Sequence, residues 1–158
     1  MRNVGDYIVF RKDVCEIVDI KENPFNHVMS YTLIPITDQS LKMNIPIDNA
    51  SIRDLMTMDE LNTLIQEIRD IPVIEVEDKQ LEHEYKRLLN EGTNYDLVQI
   101  IKTTYLRNQK RLENNKKISD KDHRYFEMAE NYLYNEVAKV LDVDLESAKK
   151  YIIEHVNN

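Results

Sequence analysis

The sequence predicts an α+β protein in which a small β module, residues 1 to 55, precedes an all-helical domain, residues 56 to 158. Two observations lead to this fold class. Apolar residues alternate with polar ones with a period of two up to Asn49, whereas after Asn49 they recur with the 3.6-residue period of helices. Only 2 glycines and 4 prolines occur among the 158 residues, which favours packed elements over linker-like chain.

Four apolar runs in the first third of the chain are typical of short strands: Tyr7 to Phe10, Cys15 to Ile20, Met29 to Leu33 and Leu41 to Ile47. Polar, turn-forming residues separate these runs. So few residues cannot form a large sandwich of two sheets. We therefore predict that the runs form a meander of four or five strands that closes into a small SH3-like or Tudor-like barrel.

Helix signals dominate the rest of the chain. Thr57 and Glu60 have the spacing of a capping box, and Pro72 ends the helix that they begin. A second helix is predicted from about Lys79 to Asn90, with Gly92 as its stop. Further helices are predicted over about 95–113, about 119–141 and, after an aspartate cap at 142 or 144, near the end of the sequence.

The residues that could carry chemistry show no catalytic or metal-binding pattern. The histidines at 27, 83, 123 and 155 form no i, i+4 pair, and Cys15 has no second thiol with which to hold zinc. Asp120 and Asp122 lack the glycine and glutamate that complete a calcium loop, so we interpret them as helix-start residues. No serine or cysteine has the sequence context of a nucleophile. The sequence predicts no enzyme activity, no cofactor and no metal.

Charge is distributed unevenly along the chain, whose formal net charge is −8. Residues 59–78 are the acidic part. Residues 98–124 are locally basic, with Asp or Glu only at 113, 120 and 122. Their basic side chains are Lys102, Arg107, Lys110, Arg111, Lys116, Lys117, Lys121 and Arg124. Such a cluster can neutralise phosphates, although charged runs on helices are also commonly a solvated surface.

Membrane and secretory classes are not supported by the sequence. No window approaches the roughly 20 apolar residues that cross a bilayer. No signal segment precedes the strand-like run that begins at Tyr7, and the single cysteine cannot form an internal disulfide. We therefore expect a cytoplasmic protein without a membrane partner.

Residue order adds a family resemblance. The segment Val4 to Phe10 resembles the opening strand of the CarD/CdnL family of bacterial RNA polymerase-binding regulators, and Leu41 to Ala50 is similar to its last barrel strand with the proline-containing exit. Tyr85 to Leu89 and Ile118 to Ala129 follow in the order and spacing of the family's helical half. The resemblance extends over nearly the whole chain.

This resemblance implies a Tudor-like domain that binds the β subunit of RNA polymerase and a helical domain that contacts promoter DNA without sequence specificity. Such regulators change open-complex stability. Leu81 occupies the place of the family's wedge tryptophan, and Asn44 that of a polymerase-facing arginine. The implied polymerase-binding residues are Asn23, Met43, Asn44, Ile45 and Pro46. The implied DNA-binding residues are Leu81, Lys86, Arg87, Arg107, Lys110, Arg111 and Arg124.

An alternative function stays open at this point. The protein could be a polymerase-bound adaptor whose helical domain binds a protein instead of DNA, an interpretation favoured by the missing tryptophan and the acidic net charge. We expect DNA affinity to be weak without polymerase, because few basic groups oppose a negative total charge. A monomer is the favoured oligomeric state.

Overall fold

A computed structural model of the chain describes residues 2–156. The chain divides into two compact units, Met1–Leu55 and Met56–Asn158. In the part of the chain that the structure describes, the first unit, here the sheet unit, contains all five strands, and the second, the helical unit, contains five α-helices and a short 3₁₀ turn. The protein is therefore of the α+β class. No helix formed by residues 2–156 is long and apolar enough to cross a membrane.

The sheet unit is one antiparallel sheet with the strand order β4-β3-β2-β1-β5. The strands are β1 (Tyr7–Phe10), β2 (Asp13–Glu22), β3 (Met29–Pro35), β4 (Met43–Pro46) and β5 (Ile52–Asp54). Residues two apart share one face of a strand, and one such set forms the apolar core of the sheet. That core consists of Ile8, Phe10, Cys15, Ile17, Tyr31 and Leu33. Val9 and Val14, which are paired across β1 and β2, are buried outside this cluster.

The predicted barrel closure is wrong. A barrel would require the two end strands, β4 and β5, to pair with each other, yet each has a single partner strand, β3 and β1 respectively. The sheet described by residues 2–55 is open. Alternating apolar residues indicate which face of a strand is buried, but they do not indicate which strands meet at the ends of a sheet.

The helical unit begins with α1 (Met58–Glu67), which is followed by the 3₁₀ turn Ile68–Asp70. The longer helices are α2 (Asp78–Glu91), α3 (Asn94–Glu113) and α4 (Asp120–Leu141), and α5 (Leu145–Val156) is the last. Their core includes Leu61, Tyr85, Ile100, Ala129 and Val137, all fully buried.

Local capping explains where these helices begin and end. The side-chain oxygens of Thr57, Thr93 and Ser119 each accept a hydrogen bond from a backbone N–H in the first turn of α1, α3 and α4. Gly92 ends α2 in the left-handed conformation, with φ +65°, which glycine adopts without steric cost. The predicted cap at Thr57 and the predicted stop at Gly92 are confirmed.

Candidate functional site

The edge strand β4 contains four of the five residues implied in polymerase binding: Met43, Asn44, Ile45 and Pro46. It pairs with β3 on one side, and the described part of the sheet unit forms no pairing on its other side. Asn44 and Pro46 are exposed, whereas Met43 and Ile45 are half-buried against the sheet core. Side chains on one face therefore anchor the strand, and its outer edge is left open.

The register identifies the backbone groups on this edge. The N–H of Ile47 donates to the carbonyl of Met29 at 3.1 Å. Every second residue of an antiparallel strand bonds to the same neighbouring strand, so the backbone groups of Ile45 and Met43 also face β3. The N–H and C=O of Asn44 consequently point away from β3. Pro46 also faces outward and has no N–H, and its carbonyl accepts from Asn49 at 3.1 Å. The open edge thus presents one complete donor and acceptor pair, at Asn44.

Asn23 lies in the loop between β2 and β3, close to the carboxyl end of β4 through the Ile47–Met29 hydrogen bond. Its side-chain oxygen accepts from the backbone N–H of Phe25 at 2.8 Å and of Asn26 at 3.4 Å, which fixes the loop. Phe25 is 93% exposed at the tip. Asn23 therefore shapes this loop, and Phe25, which sequence reasoning missed, is the large apolar side chain that the loop exposes.

The opposite edge, β5, is less available than β4. The outward N–H of Ile52 donates to the carbonyl of Asn49 at 3.1 Å, and the Arg53 guanidinium donates to the outward carbonyl of Asp54 at 3.1 Å. The Asp54 carboxylate also pairs with Arg2 at 2.8 Å. The protein's own groups therefore occupy part of this edge, and a partner strand would have to displace them.

In the helical unit, the C-terminal end of α3 forms a cleft of about 330 Å³. We call it the cationic cleft; it is lined by Arg107, Lys110, Arg111, Asn114, Lys116 and Asp78. Four of these side chains are basic and one is acidic. The spacing 107, 110, 111 and 114 places four of them on one side of α3, and Lys116 joins them from the following turn.

Arg107 is held within the fold by acidic groups. Its Nε donates to the Asp122 carboxylate at 3.0 Å, and a terminal nitrogen donates to Asp78 at 3.1 Å. Asp122 is fully buried and also accepts a hydrogen bond from the Tyr85 hydroxyl at 2.9 Å. Burial, together with the charge of Asp122, raises the pKa of Tyr85. Arg107 therefore ties α3 to α2 and α4, and much of its charge is neutralised.

The other basic side chains of the cleft are more available to an anion. Arg111 is exposed and donates its Nε to the carbonyl of Lys117 at 2.8 Å, and its guanidinium forms no ion pair within residues 2–156. A turn with Asn115 in the left-handed conformation, φ +58°, brings Lys116 beside it. Lys110 and Lys116 are exposed, and neither forms an ion pair with another residue in 2–156. The cleft can therefore hold a phosphate-like anion.

The remaining implied DNA-binding residues do not line this cleft. Leu81 is 2% exposed in the core of the helical unit, so the structure gives it a packing role instead of the wedge that the resemblance implies. Arg87 pairs with Glu84 and Glu91 on its own helix, and Arg124 lies 3.5 Å from Glu82. Lys86 is exposed. The sequence shows these cations, but only the fold shows which carboxylates neutralise them.

The 3.6-residue period of the sequence places Leu97, Val98, Ile101, Tyr105 and Leu112 on one stripe of α3, which predicts that this stripe is packed along its length. The prediction is confirmed for the N-terminal end of the stripe, because Leu97 and Val98 are buried. The prediction is wrong for the C-terminal end of the stripe, because Tyr105 is 54% exposed and Leu112 is 55% exposed. A helical period predicts which side chains share a face, but it does not predict how far a neighbouring helix covers that face.

Residues 2–156 contain no cluster of three or more histidine, cysteine or carboxylate side chains that could hold a metal ion. No known family model matches the chain. A search of curated proteins likewise finds no significant match.

Proposed function

We propose that this chain is a cytoplasmic, non-enzymatic regulator of transcription, similar to CarD, that acts as a monomer. It binds the β subunit of bacterial RNA polymerase through the β4 edge and contacts promoter DNA through the cationic cleft. Neither contact requires a cofactor. Both add a non-covalent interaction to a promoter complex, so the expected effect is a change in open-complex lifetime.

The polymerase contact is supported by the open edge of β4. A strand added to a sheet edge gains main-chain hydrogen bonds, and neighbouring side-chain positions provide specificity. Asn44 presents an outward N–H and C=O, and the exposed Phe25 lies at the tip of the loop beside this strand. Pro46 limits pairing at the end of the strand, which restricts the register that a partner can adopt.

Two substitutions at one position test this contact. Asn44→Pro removes the outward N–H without removing a hydrogen bond to β3, so we expect it to abolish recovery of polymerase by the intact chain. Asn44→Ala is the matched control. It loses the same side-chain hydrogen bond from Thr32, 2.9 Å long, but keeps the backbone N–H, so recovery should persist. Equal recovery with both variants, each folded by circular dichroism, would contradict edge pairing.

The DNA contact is supported by the concentration of basic side chains in the cationic cleft. Lys110, Arg111 and Lys116 add positive charge where Arg107 is already neutralised by Asp78 and Asp122. Because phosphate contacts are not sequence-specific, such a cleft can bind the backbone of many promoters. The negative total charge explains why this contact would depend on prior binding to polymerase.

A double charge reversal, Lys110→Glu with Lys116→Glu, tests the DNA contact because both side chains are exposed. We expect the open-complex lifetime to return to its value without the protein, while polymerase recovery is unchanged. Lys110→Glu alone is compared with Lys150→Glu, at an exposed lysine outside the cleft, so that the two single variants carry the same charge change. Arg107 is unsuitable because its substitution would also disrupt the buried network around Asp122. An unchanged lifetime with the double variant would exclude the cleft as a DNA site.

The adaptor alternative is favoured by a separate observation. The helical unit exposes large apolar side chains on α3, among them Tyr105 and Leu112. Clustered exposed apolar surface of this kind marks protein interfaces more often than nucleic-acid interfaces, which are strongly basic. An adaptor would keep its polymerase contact at β4 and use this apolar surface for a protein partner, so the charge reversals in the cleft would leave its function intact.

A further inference from the structure

The antiparallel helices α3 and α4 leave an apolar groove on the side of α3 that faces away from the cationic cleft. Two adjoining cavities form it, of about 240 Å³ and about 360 Å³, and Tyr105 lines both of them. We call this surface the α3–α4 groove. Its principal apolar residues are Val98, Ile101, Tyr105, Leu112, Phe126 and Leu133.

Much of this apolar surface is left in contact with water. Tyr105 and Leu112 are each more than half exposed, and Ile153 of α5, at one end of the groove, is 56% exposed. The Tyr105 and Phe126 rings lie 6.4 Å apart between their centroids, so the two helices form one continuous wall. Covering apolar side chains of this size is favourable by about 25 cal/mol for each Å².

The dimensions of the groove suit a helix. From Val98 to Leu112 α3 advances 14 residues, which corresponds to about 21 Å or about four helical turns. A helix satisfies its own backbone hydrogen bonds, so it can bury one apolar side in such a groove without leaving polar groups unpaired. An extended strand would require backbone partners, and the walls here are helices whose backbone groups bond internally.

Charge at the border of the groove indicates which kind of helix it would bind. Glu130 follows Phe126 and precedes Leu133 on one face of α4 and is half-buried. With Glu127 and Lys149 it lines a neighbouring cavity, which shares Tyr134 with the groove. Within residues 2–156 it has no ion-pair partner closer than 4 Å, and burial raises the pKa of its carboxyl, with Lys149 opposing that effect. Glu127, one turn away, pairs with His123 at 2.9 Å. A basic side chain at the edge of the incoming helix would pair with these carboxylates at the border of the groove.

The nearby lysines do not reverse this preference. The ammonium of Lys102 donates to the carbonyl oxygens of Ile68, Arg69 and Ile71, so it is already engaged at the end of the 3₁₀ turn. Lys149 lies over the Tyr134 ring, 5.7 Å from its centroid. An acidic helix would therefore meet Glu127 and Glu130 with little positive charge available to offset them.

We propose that the α3–α4 groove binds a basic amphipathic helix of a partner protein. Its apolar side chains would pack on Tyr105, Leu112 and Phe126, and a lysine or arginine would pair with Glu130. This inference rests on the adaptor alternative. At roughly 100° for each residue, positions 105, 109 and 112 lie opposite positions 107, 110 and 111 on α3, so the groove and the cationic cleft can be occupied together.

A library selection tests the proposal without polymerase or DNA. The probe is a phage-displayed library of helix-forming peptides of about 18 residues, selected against the intact chain. We expect enriched peptides with apolar residues at i, i+3 or i+4, and i+7, flanked by lysine or arginine. Leu112→Glu should weaken their binding at least about tenfold, whereas Val76→Glu, at an exposed apolar residue outside the groove, should not.

Glu130→Gln separates the charge argument from the apolar one. This substitution should weaken the binding of the enriched peptides. It should not weaken the binding of matched peptides in which glutamine replaces the basic residues. The proposal is overturned if no peptide is enriched, if the enriched peptides are acidic, or if they bind the Leu112→Glu chain equally well. Self-association of the chain that Leu112→Glu abolishes would assign the groove to a second copy instead. None of these outcomes alters the Asn44 and Lys110 tests, so the two proposals can fail separately.

Discussion

The sheet unit and the helical unit differ in how polar groups contribute to their interiors. Among residues 2–55, Thr32 is the one buried polar side chain. The described part of the helical unit buries seven, namely Asp96, Thr103, Thr104, Asn108, Asp122, Asn135 and Glu136. The strands are joined by backbone hydrogen bonds that any sequence can make, whereas the helices also depend on hydrogen bonds between particular side chains.

This difference affects how each unit tolerates change. A backbone ladder survives most side-chain substitutions, so the β4 edge can vary in sequence and still pair with a partner. A buried carboxylate such as Asp122 requires both of its donors, Arg107 and Tyr85, because an unpaired buried charge is strongly destabilising. We therefore expect single polar substitutions to harm the helical unit more than the sheet unit.

The largest expected effect is that of Asp122→Ala. It leaves the buried Tyr85 hydroxyl without its acceptor and Arg107 with Asp78 as its remaining carboxylate partner, so we expect about 3–5 kcal/mol less free energy of unfolding. Chemical denaturation followed by circular dichroism measures the loss. Asp120→Ala, on the exposed first turn of the same helix, is the control and should cost far less. A loss below about 1 kcal/mol for Asp122→Ala would contradict the role of the network.

Leu81→Ala compares a fully buried side chain with one on the edge strand. We expect a loss of about 2–5 kcal/mol in the free energy of unfolding, because a cavity remains in the helical core. Ile45→Ala, at a half-buried position in β4, should cost less than about 2 kcal/mol. Leu81→Met should restore most of the stability. A Leu81→Ala chain with unchanged stability but a shortened open-complex lifetime would instead support the wedge role.

Two conservative changes sharpen the comparison of polar groups. Tyr85→Phe leaves a buried oxygen of Asp122 without its hydroxyl donor, so we expect a loss of about 1–3 kcal/mol. Thr32→Val removes a hydrogen bond to Asn44, whose side chain can turn to water, and should cost less than about 1 kcal/mol. Thermal unfolding of both variants measures the difference. A larger loss for Thr32→Val than for Tyr85→Phe would reverse the comparison.

The smallest expected effects concern pH, and they have opposite signs in the two units. Burial raises the pKa of Asp13 in the sheet unit, so its contribution to stability is present at low pH and lost as pH rises through the folded pKa. Asp13→Asn should therefore stabilise the protein at neutral pH. The hydrogen bond from the Ser147 N–H lowers the pKa of Asp144 from its ordinary value of 3.8. The contribution of this carboxylate to stability is therefore present above pH 3.8 and is lost as the pH falls through the folded pKa.

Unfolding measured between acid and neutral pH separates the two aspartates. Asp144→Ala should lower stability at neutral pH and have no effect once the carboxyl is protonated. Asp13→Asn should increase the free energy of unfolding only at pH values where the Asp13 carboxyl of the parent protein is ionised. The same sign for both substitutions at neutral pH would contradict the assigned causes.

Helices were predictable because their signals are local. Thr57, Ser119 and Gly92 act within a turn of their own positions, so residue order alone indicates where α1, α2 and α4 start or stop. The strand β5 was not identified, because Ile52–Asp54 is too short to show alternation and forms only by pairing with β1. Which cations share the cleft was likewise hidden, since Lys116 reaches it through the turn at Asn115.

The amino-acid sequence by itself determined the α+β class, the change from strands to helices after Asn49 and the basic character of residues 98–124, because these follow from periodicity and composition. Only the tertiary structure decided that the sheet stays open at β4, that Arg107 forms an ion pair with Asp122, and that Tyr105 and Leu112 remain exposed. Each of these three features depends on which residues far apart in the sequence come into contact. Strand pairing and side-chain packing decide those contacts, and no local sequence pattern reveals them.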